Sequence, residues 1–246
     1  MFIIAGIFKI HWSHYSSDLL SALLKTLEFT AASFIGAALL GLVIALLRLS
    51  PIRLMRIPAA VYTEIFKNVP LLVIIFLVYY GLAQANVIAL GIFQAGALSL
   101  ILFYAAYLSE IFRAAIAGVH SGQMEASHAL GLSRLTTFSH VVLPQALRIA
   151  LPGTNTMLVD LLKSTSLLVT ISAAELMSEG QLIQSDTFRP TEVWVVIGAI
   201  YFVLCYPLSQ LLLWLERKVR AGVPLLPRRR RRMKAVRALL QEGVPA

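Results

Sequence analysis

The sequence predicts an all-α integral membrane protein with five transmembrane helices. Three observations carry that expectation. The 246 residues are 59% hydrophobic and only 13% charged, with a mean hydropathy of +0.81, which is more apolar surface than one water-soluble core needs. The apolar runs have the length of helices that cross a bilayer. The basic residues collect in alternate connections, as they do in chains sorted by the positive-inside rule.

The opening MFIIAGIFKI lacks the basic leader and small-residue cleavage site of a signal peptide. Residues 1–18 are therefore read as an extracytoplasmic segment. The first span is placed at about residues 21–47. Its core, FTAASFIGAALLGLVIALL, has 19 uncharged positions, which at about 1.5 Å per residue nearly match a hydrocarbon layer of roughly 30 Å. Lys25 and Glu28 fall near its outer end, where long side chains snorkel to water. Ala32 with Gly36, and Ala37 with Gly41, repeat a spacing that lets a second helix approach closely, from this subunit or another.

From Asn68 to Ser109 the chain carries no charge for 42 positions, too many for one helix of ordinary tilt. The chain must fold back. The glycines of GLAQANVIALGIFQAG, 81–96, together with Asn86 and two glutamines, place the turn there, giving spans at about 58–81 and 95–118. A fourth span is expected at about 149–171 and a fifth at about 193–215, where Pro207 is tolerable in a packed membrane helix. Residues 217–246 form a basic cytoplasmic tail.

Arginines after span one, between spans three and four, and after span five mark those three segments as cytoplasmic. Residues 175–192 hold Glu175, Glu179, Asp186 and Glu192 against Arg189 alone, so the amino terminus lies outside and the carboxyl terminus inside. The net charge of +9 resides mostly in PRRRRRMKAVR. That run reads as an anchor drawn to anionic lipid by roughly 1 kcal/mol per basic residue. Without aromatic interleaving it gives no support to a nucleic-acid partner. Cys205 is the single cysteine and the five histidines have no metal-ligand spacing, so neither a disulfide framework nor a metal site is expected. No serine, histidine and acid set suggests catalysis.

Charges inside spans cost roughly 2.5–3.5 kcal/mol at the helix centre and normally face the bundle interior or water. Glu64 with Lys67, and Glu110 with Arg113, stand three residues apart and are expected to form structural ion pairs. In span four, Thr156, Asp160, Lys163, Ser166 and Thr170 fall on one polar stripe at 100° per residue. Glue between helices and the lining of a pathway both account for such a stripe, and the ionisable pair favours the pathway. An internal Asp160–Lys163 pair would offset part of the burial cost. Asp160, Lys163, Ser166, Thr170 and Glu110 are the candidate pathway residues.

The longest inner connection contains EASHALGLSRLTTFSHVVLP, 125–144. Glu125, Ala126, Ser127 and Ala129 read as a short helix with small side chains that Gly131 ends. A second helix is expected over Leu132–Val142, with Pro144 marking re-entry to the membrane. A helix lying on the membrane surface and a helix docking on a partner both fit that pattern. The spacing of Glu125, Ala126, Ser127, Gly131, Val141, Leu143 and Pro144 resembles the EAA loop of permease subunits of bacterial ATP-binding-cassette importers. Ser127 stands where the family has alanine and Val141 where it has isoleucine. EIFKNVPLLVIIFLVYYGL at 64–82, AAYLSEIFRAAIAGVHSGQMEASHALGLS at 105–133, LPQALRIALP at 143–152 and KSTSLLVTISAAEL at 163–176 are similar to segments of the polar amino acid permeases, of the histidine, glutamine, arginine and glutamate type.

That resemblance implies a type I importer permease fold over about residues 19–216. It also implies a homodimer or heterodimer of permeases, two ATPase subunits docked on the EAA helix, and an extracytoplasmic binding protein that delivers an amino acid. ATP and Mg would be bound by the ATPase partner, with no cofactor on this chain, and the location would be the bacterial inner membrane. The absence of a GxxxxGK[ST] loop agrees. The alternative from another class is a secondary transporter driven by an ion gradient.

Overall fold

The computed structural model describes residues 10–85 and 89–220. Residues 1–9 of the predicted outer segment, Asn86 in the predicted turn, and the tail beyond Arg220 with Arg228–Arg232, Lys234 and Arg237 lie outside the described residues. Eight helices follow one another among those described: α1 (Trp12–Leu49), α2 (Arg53–Asn68), α3 (Leu71–Gln84), α4 (Ile92–Ala117), α5 (Ser121–Ala129), α6 (Arg134–Ile171), α7 (Leu176–Thr187) and α8 (Pro190–Arg220). By length and composition α1, α4 and α8 can each cross a membrane, and five crossings result if the bent pairs α2–α3 and α6–α7 each count as one.

α1 packs along α4 at the centre of the molecule. Phe29, Ala37 and Ile44 of α1 meet Leu100, Tyr104 and Leu108 of α4 in the main core, with Ile75 from α3 and Leu161 and Leu168 from α6. The small residues of α1 are used within this chain. A Cβ on Gly41 would lie 3.0 Å from the Ala105 carbonyl oxygen and 3.0 Å from the Leu108 Cβ, so the two backbones approach as only glycine permits. α1 also begins earlier than the predicted span. Trp12, Tyr15 and Leu19 pack on a second cluster formed by Leu176, Ile183, Val193 and Ile197, which seats α7 and the start of α8 beside the start of α1.

The predicted single span at 58–81 is instead two helices bent by 108°. Pro70 explains the break. The residue before a proline is driven out of the helical region, and Val69 is extended at φ −93°, ψ 131°. The freed Lys67 carbonyl accepts a hydrogen bond from the Tyr107 hydroxyl at 3.2 Å, as an orphaned helix-end acceptor requires.

Pro144 stands in the first turn of the α-helical stretch Leu143–Ser164, where its missing donor costs nothing. That stretch is not preceded by a loop, because α6 as a whole starts at Arg134 and runs through Pro144 and Pro152 to Ile171. Residues Phe138–Val142 form a π-helical turn immediately before Pro144, and such widened turns are a regular way to change helix register. The last turns of α6, Thr165–Ile171, tighten to 3₁₀ geometry and stop at Ser172, φ 58°.

Candidate functional site

Two regions hold the residues singled out by the sequence. The first is the connection between α4 and α6. The His120 imidazole accepts from the Gly122 N–H at 3.1 Å and caps α5. At the other end the Gly131 N–H bonds the His128 carbonyl at 2.9 Å and the Leu132 N–H bonds the Ser127 carbonyl at 3.0 Å. Gly131 sits at φ +75°, so these paired bonds close the helix in the way that demands a residue without a Cβ. Ser127 turns inward and is buried, donating to the Gln123 carbonyl at 2.7 Å. Glu125 and Ala126 face outward.

The result is a knuckle with unpartnered apolar tips. Leu130 is 79% and Leu135 77% exposed, flanking Gly131 on either side. Val141, Leu143 and Pro144 are not on the knuckle but on the stem, within the first turns of α6. Gln145 of that stem reaches Gln123 of α5 at 3.4 Å. Leu49, Ser50, Met124 and His128 line one cavity, which places the knuckle at the end of α1 opposite α7.

The second region is the groove between α6 and α8. Asp160 and Lys163 are exposed on α6, yet the expected pair between them does not form. The Asp160 carboxylate accepts from the Tyr104 hydroxyl at 2.8 Å, and the same hydroxyl lies 2.8 Å from Ser164 Oγ. No ion pair joins Lys163 to another described residue. Asp160 and Lys163 line a cavity of about 380 Å³ with Asn155, Ser209 and Glu216. Lys163 and Ser166 also line a neighbouring cavity of about 370 Å³ with Met177, Trp194 and Tyr201. Both volumes fall in the range of roughly 300–1,000 Å³ found for ligand pockets. Lys163 is common to the two, so the cavities succeed one another along α6. Asn155 bonds the Leu212 carbonyl at 3.3 Å and ties the groove's walls together.

The hydroxyls of Ser166 and Thr170 donate to carbonyls three residues back, each at 2.7 Å, which leaves their lone pairs as acceptors. Thr170 is exposed on α6 but lines neither cavity. Glu110 also stands apart from both. It pairs with Arg113, as the spacing predicted, and with Arg48 from the end of α1. Glu64 and Lys67 do not pair. The Glu64 carboxylate accepts from Asn68 at 3.3 Å instead. Lys25 and Glu28 form a 2.7 Å pair in place of independent snorkelling.

Residues 30–221 match the family of binding-protein-dependent transport system inner membrane components. The chain belongs to that family. As a permease it is 35% identical over 212 residues to the probable amino-acid ABC transporter permease PatM of Vibrio harveyi, covering 84% of this chain and 95% of that one. It is 37% identical over 218 residues to the nopaline transport system permease NocM of Agrobacterium fabrum, covering 83% and 90%. Among solved structures, an amino acid ABC transporter crystallised with histidines matches with a TM-score of 0.78 and 35% identity over 84% of this chain and 96% of that one. The MetNI methionine transporter in inward-facing form shares the fold, with a TM-score of 0.71 at 19% identity, over 83% of this chain and 97% of that one. The family, with relatives named as ABC transporter permeases, favours the importer expectation over the ion-gradient alternative.

Several working residues of the permease escape a reading of its sequence. Tyr104 is one tyrosine in an apolar helix, and its need for a buried hydrogen-bond partner is the only signal it gives. Glu175 reads as an outer-loop acid. It is fully buried and accepts from the Met177 and Ser178 N–H groups and from the Tyr201 hydroxyl at 3.0 Å, so it holds the wall of the cavity that Met177 and Tyr201 line. Leu130 and Leu135 stand out only in the structure, because scattered exposed leucines are ordinary in a sequence.

Proposed function

We propose that the permease carries a polar amino acid along the α6–α8 groove, driven by an ATPase that grips the knuckle through Glu125, Ala126, Leu130 and Leu135. The observation that carries this reading is the pair of cavities meeting at Lys163. A zwitterion needs one cationic and one anionic contact. Lys163 supplies the first to its carboxylate and Asp160, held by Tyr104, supplies the second to its ammonium, with Ser166 and Thr170 offering acceptors further along. The amino-acid transporters among the permease's relatives support this substrate class.

The knuckle is the cytoplasmic contact. Small Ala126 allows close approach, Glu125 offers a charge-assisted bond, and Leu130 and Leu135 bury apolar area on a partner. Two ATPase subunits, which hold the ATP and Mg, dock below a pair of permeases, either two copies of this chain or this chain and a related one. An extracytoplasmic binding protein feeds the opposite end, where α7 and the start of α8 lie. The amino terminus is outside and the carboxyl terminus in the cytoplasm, with the chain in the bacterial inner membrane.

Single cysteines at Ser166 and Lys163, in a chain whose Cys205 is replaced by serine, test the groove. A water-soluble thiol reagent should label both in at least one transport state, and substrate should slow the labelling. Cysteines that stay unlabelled with and without ATP would reject the groove as the route.

A further inference from the structure

A furrow made of two adjoining cavities, which share Ile116, lies along the later half of α1. Its membrane half is a cavity of about 230 Å³ lined entirely by apolar side chains, among them Ala38, Leu39 and Leu42 of α1 and Leu147 of α6. Its other half, about 530 Å³, begins at Leu46 and Leu49 and ends under the knuckle. Ile116 of α4 lines both halves. From Ala38 to Ser50 the furrow follows twelve helical steps, about 18 Å. One leaflet of a hydrocarbon core of roughly 30 Å has about that depth.

The two ends differ in chemistry. The membrane end offers nothing but hydrocarbon, whereas the knuckle end is lined by Arg134, His128 and Ser50 and by no carboxylate. Arg134 has no ion pair to a described residue. Thr137, in the same wall, is buried, and its hydroxyl has no hydrogen-bond partner. A buried hydroxyl without a partner is rare and calls for an explanation. The π-helical turn Phe138–Val142 places both of its end residues in this wall, and such turns gather at functional sites.

We propose that this furrow binds one anionic phospholipid, with its phosphate at Arg134, His128 and Thr137 and an acyl chain along Ala38–Leu49. The occupant is a lipid because the cationic end adjoins, at Ile116, a wholly apolar cavity, and the two together are about one leaflet deep. Phosphate alone would leave that cavity empty. Selectivity comes from the headgroup, since an acyl chain gains nothing by leaving one hydrocarbon phase for another. The proposed orientation makes this the cytoplasmic leaflet. The lipid joins the end of α1 to the knuckle, so the element that receives the ATPase stroke and the central helix share one ligand.

The full-length permease with its ATPase partner, purified in detergent, is mixed with equal amounts of dioleoyl phosphatidylglycerol and dioleoyl phosphatidylcholine. Retained lipids are then counted by native mass spectrometry. The wild type should retain one phosphatidylglycerol preferentially, and inorganic phosphate should not displace it. Arg134→Gln should weaken retention about tenfold, as loss of a hydrogen-bonded charge does. Thr137→Val keeps the shape of the side chain and should weaken it less, while Ala38→Phe should block the acyl channel. Elution of each variant as the intact complex separates lost binding from lost folding. Equal retention of the two lipids, unchanged retention in Arg134→Gln and Thr137→Val, or displacement by phosphate would overturn the proposal. The count involves no transport, so its result is independent of the route assigned to the amino acid.

Discussion

Glu110 carries two arginines, Arg113 one turn along its own helix and Arg48 from the end of α1. A carboxylate shared this way fixes the α1–α4 junction where the chain leaves the core. Its side chain is about one-third exposed, so solvent screening brings the contribution below the range for charged hydrogen bonds, to about 1 kcal/mol. Glu110→Gln should lower the thermal unfolding midpoint by about 2–4 °C, and adding Arg48→Gln should cost much less than the sum of the single changes. Additive losses would show that the bridge contributes nothing as a unit. The Arg113 contact was legible because its spacing is local. The Arg48 contact closes across 62 residues, and no local pattern records it. Lys163 shows the same limit. Its place on a polar stripe could be read from helical periodicity, but its supposed partner Asp160 is bonded to Tyr104 on another helix. The pairing expected of Glu64 and Lys67 failed for a related reason, because Asn68 competes for the carboxylate one turn away.

The helical elements depend on a few residues that set backbone geometry. Gly131 is the clearest, with φ +75° and no heavy atom within 4 Å of where its Cβ would stand. A side chain there meets no steric wall, so the penalty is conformational, about 1–2 kcal/mol, and confined to the knuckle. Gly131→Arg should insert and elute normally while uptake is lost, whereas Gly131→Asn, which tolerates the left-handed region, should keep more activity. Wild-type uptake by Gly131→Arg would remove the knuckle from the mechanism. Glycine in this role was readable from the sequence because few residues end a helix in this way. Prolines were less so. Pro70 breaks a run that hydropathy joins, whereas Pro144 opens the α-helical stretch Leu143–Ser164, as its missing donor predicts. The difference lies in what surrounds them. Val69 adopts extended geometry and leaves Lys67 to be capped by Tyr107, while the π-helical turn before Pro144 carries the helix onward.

At the scale of the whole molecule, hydropathy and charge found the order of the long helices, and packing supplied what they could not. The beginning of α1, α7 and the beginning of α8 gather at one end, and the knuckle lies beside the far end of α1. That polarity suits the proposed arrangement of an outer donor and an inner motor. Motif spacing singled out the knuckle but not the groove, since the groove's second wall comes from α8, whose residues Ser209, Tyr201 and Glu216 have no periodic signature of a site. The two regions are joined through α6, which begins beside the knuckle and carries Asp160 and Lys163 along its length, so a displacement of the knuckle moves the stripe.

The most direct measurement of this coupling is uptake of a labelled polar amino acid by vesicles that contain the permease, its partner permease and its ATPase. Uptake should require ATP on the knuckle side and the binding protein on the other, and should persist when ion gradients are collapsed. Uptake that proceeds without ATP and follows a proton or sodium gradient would contradict the account.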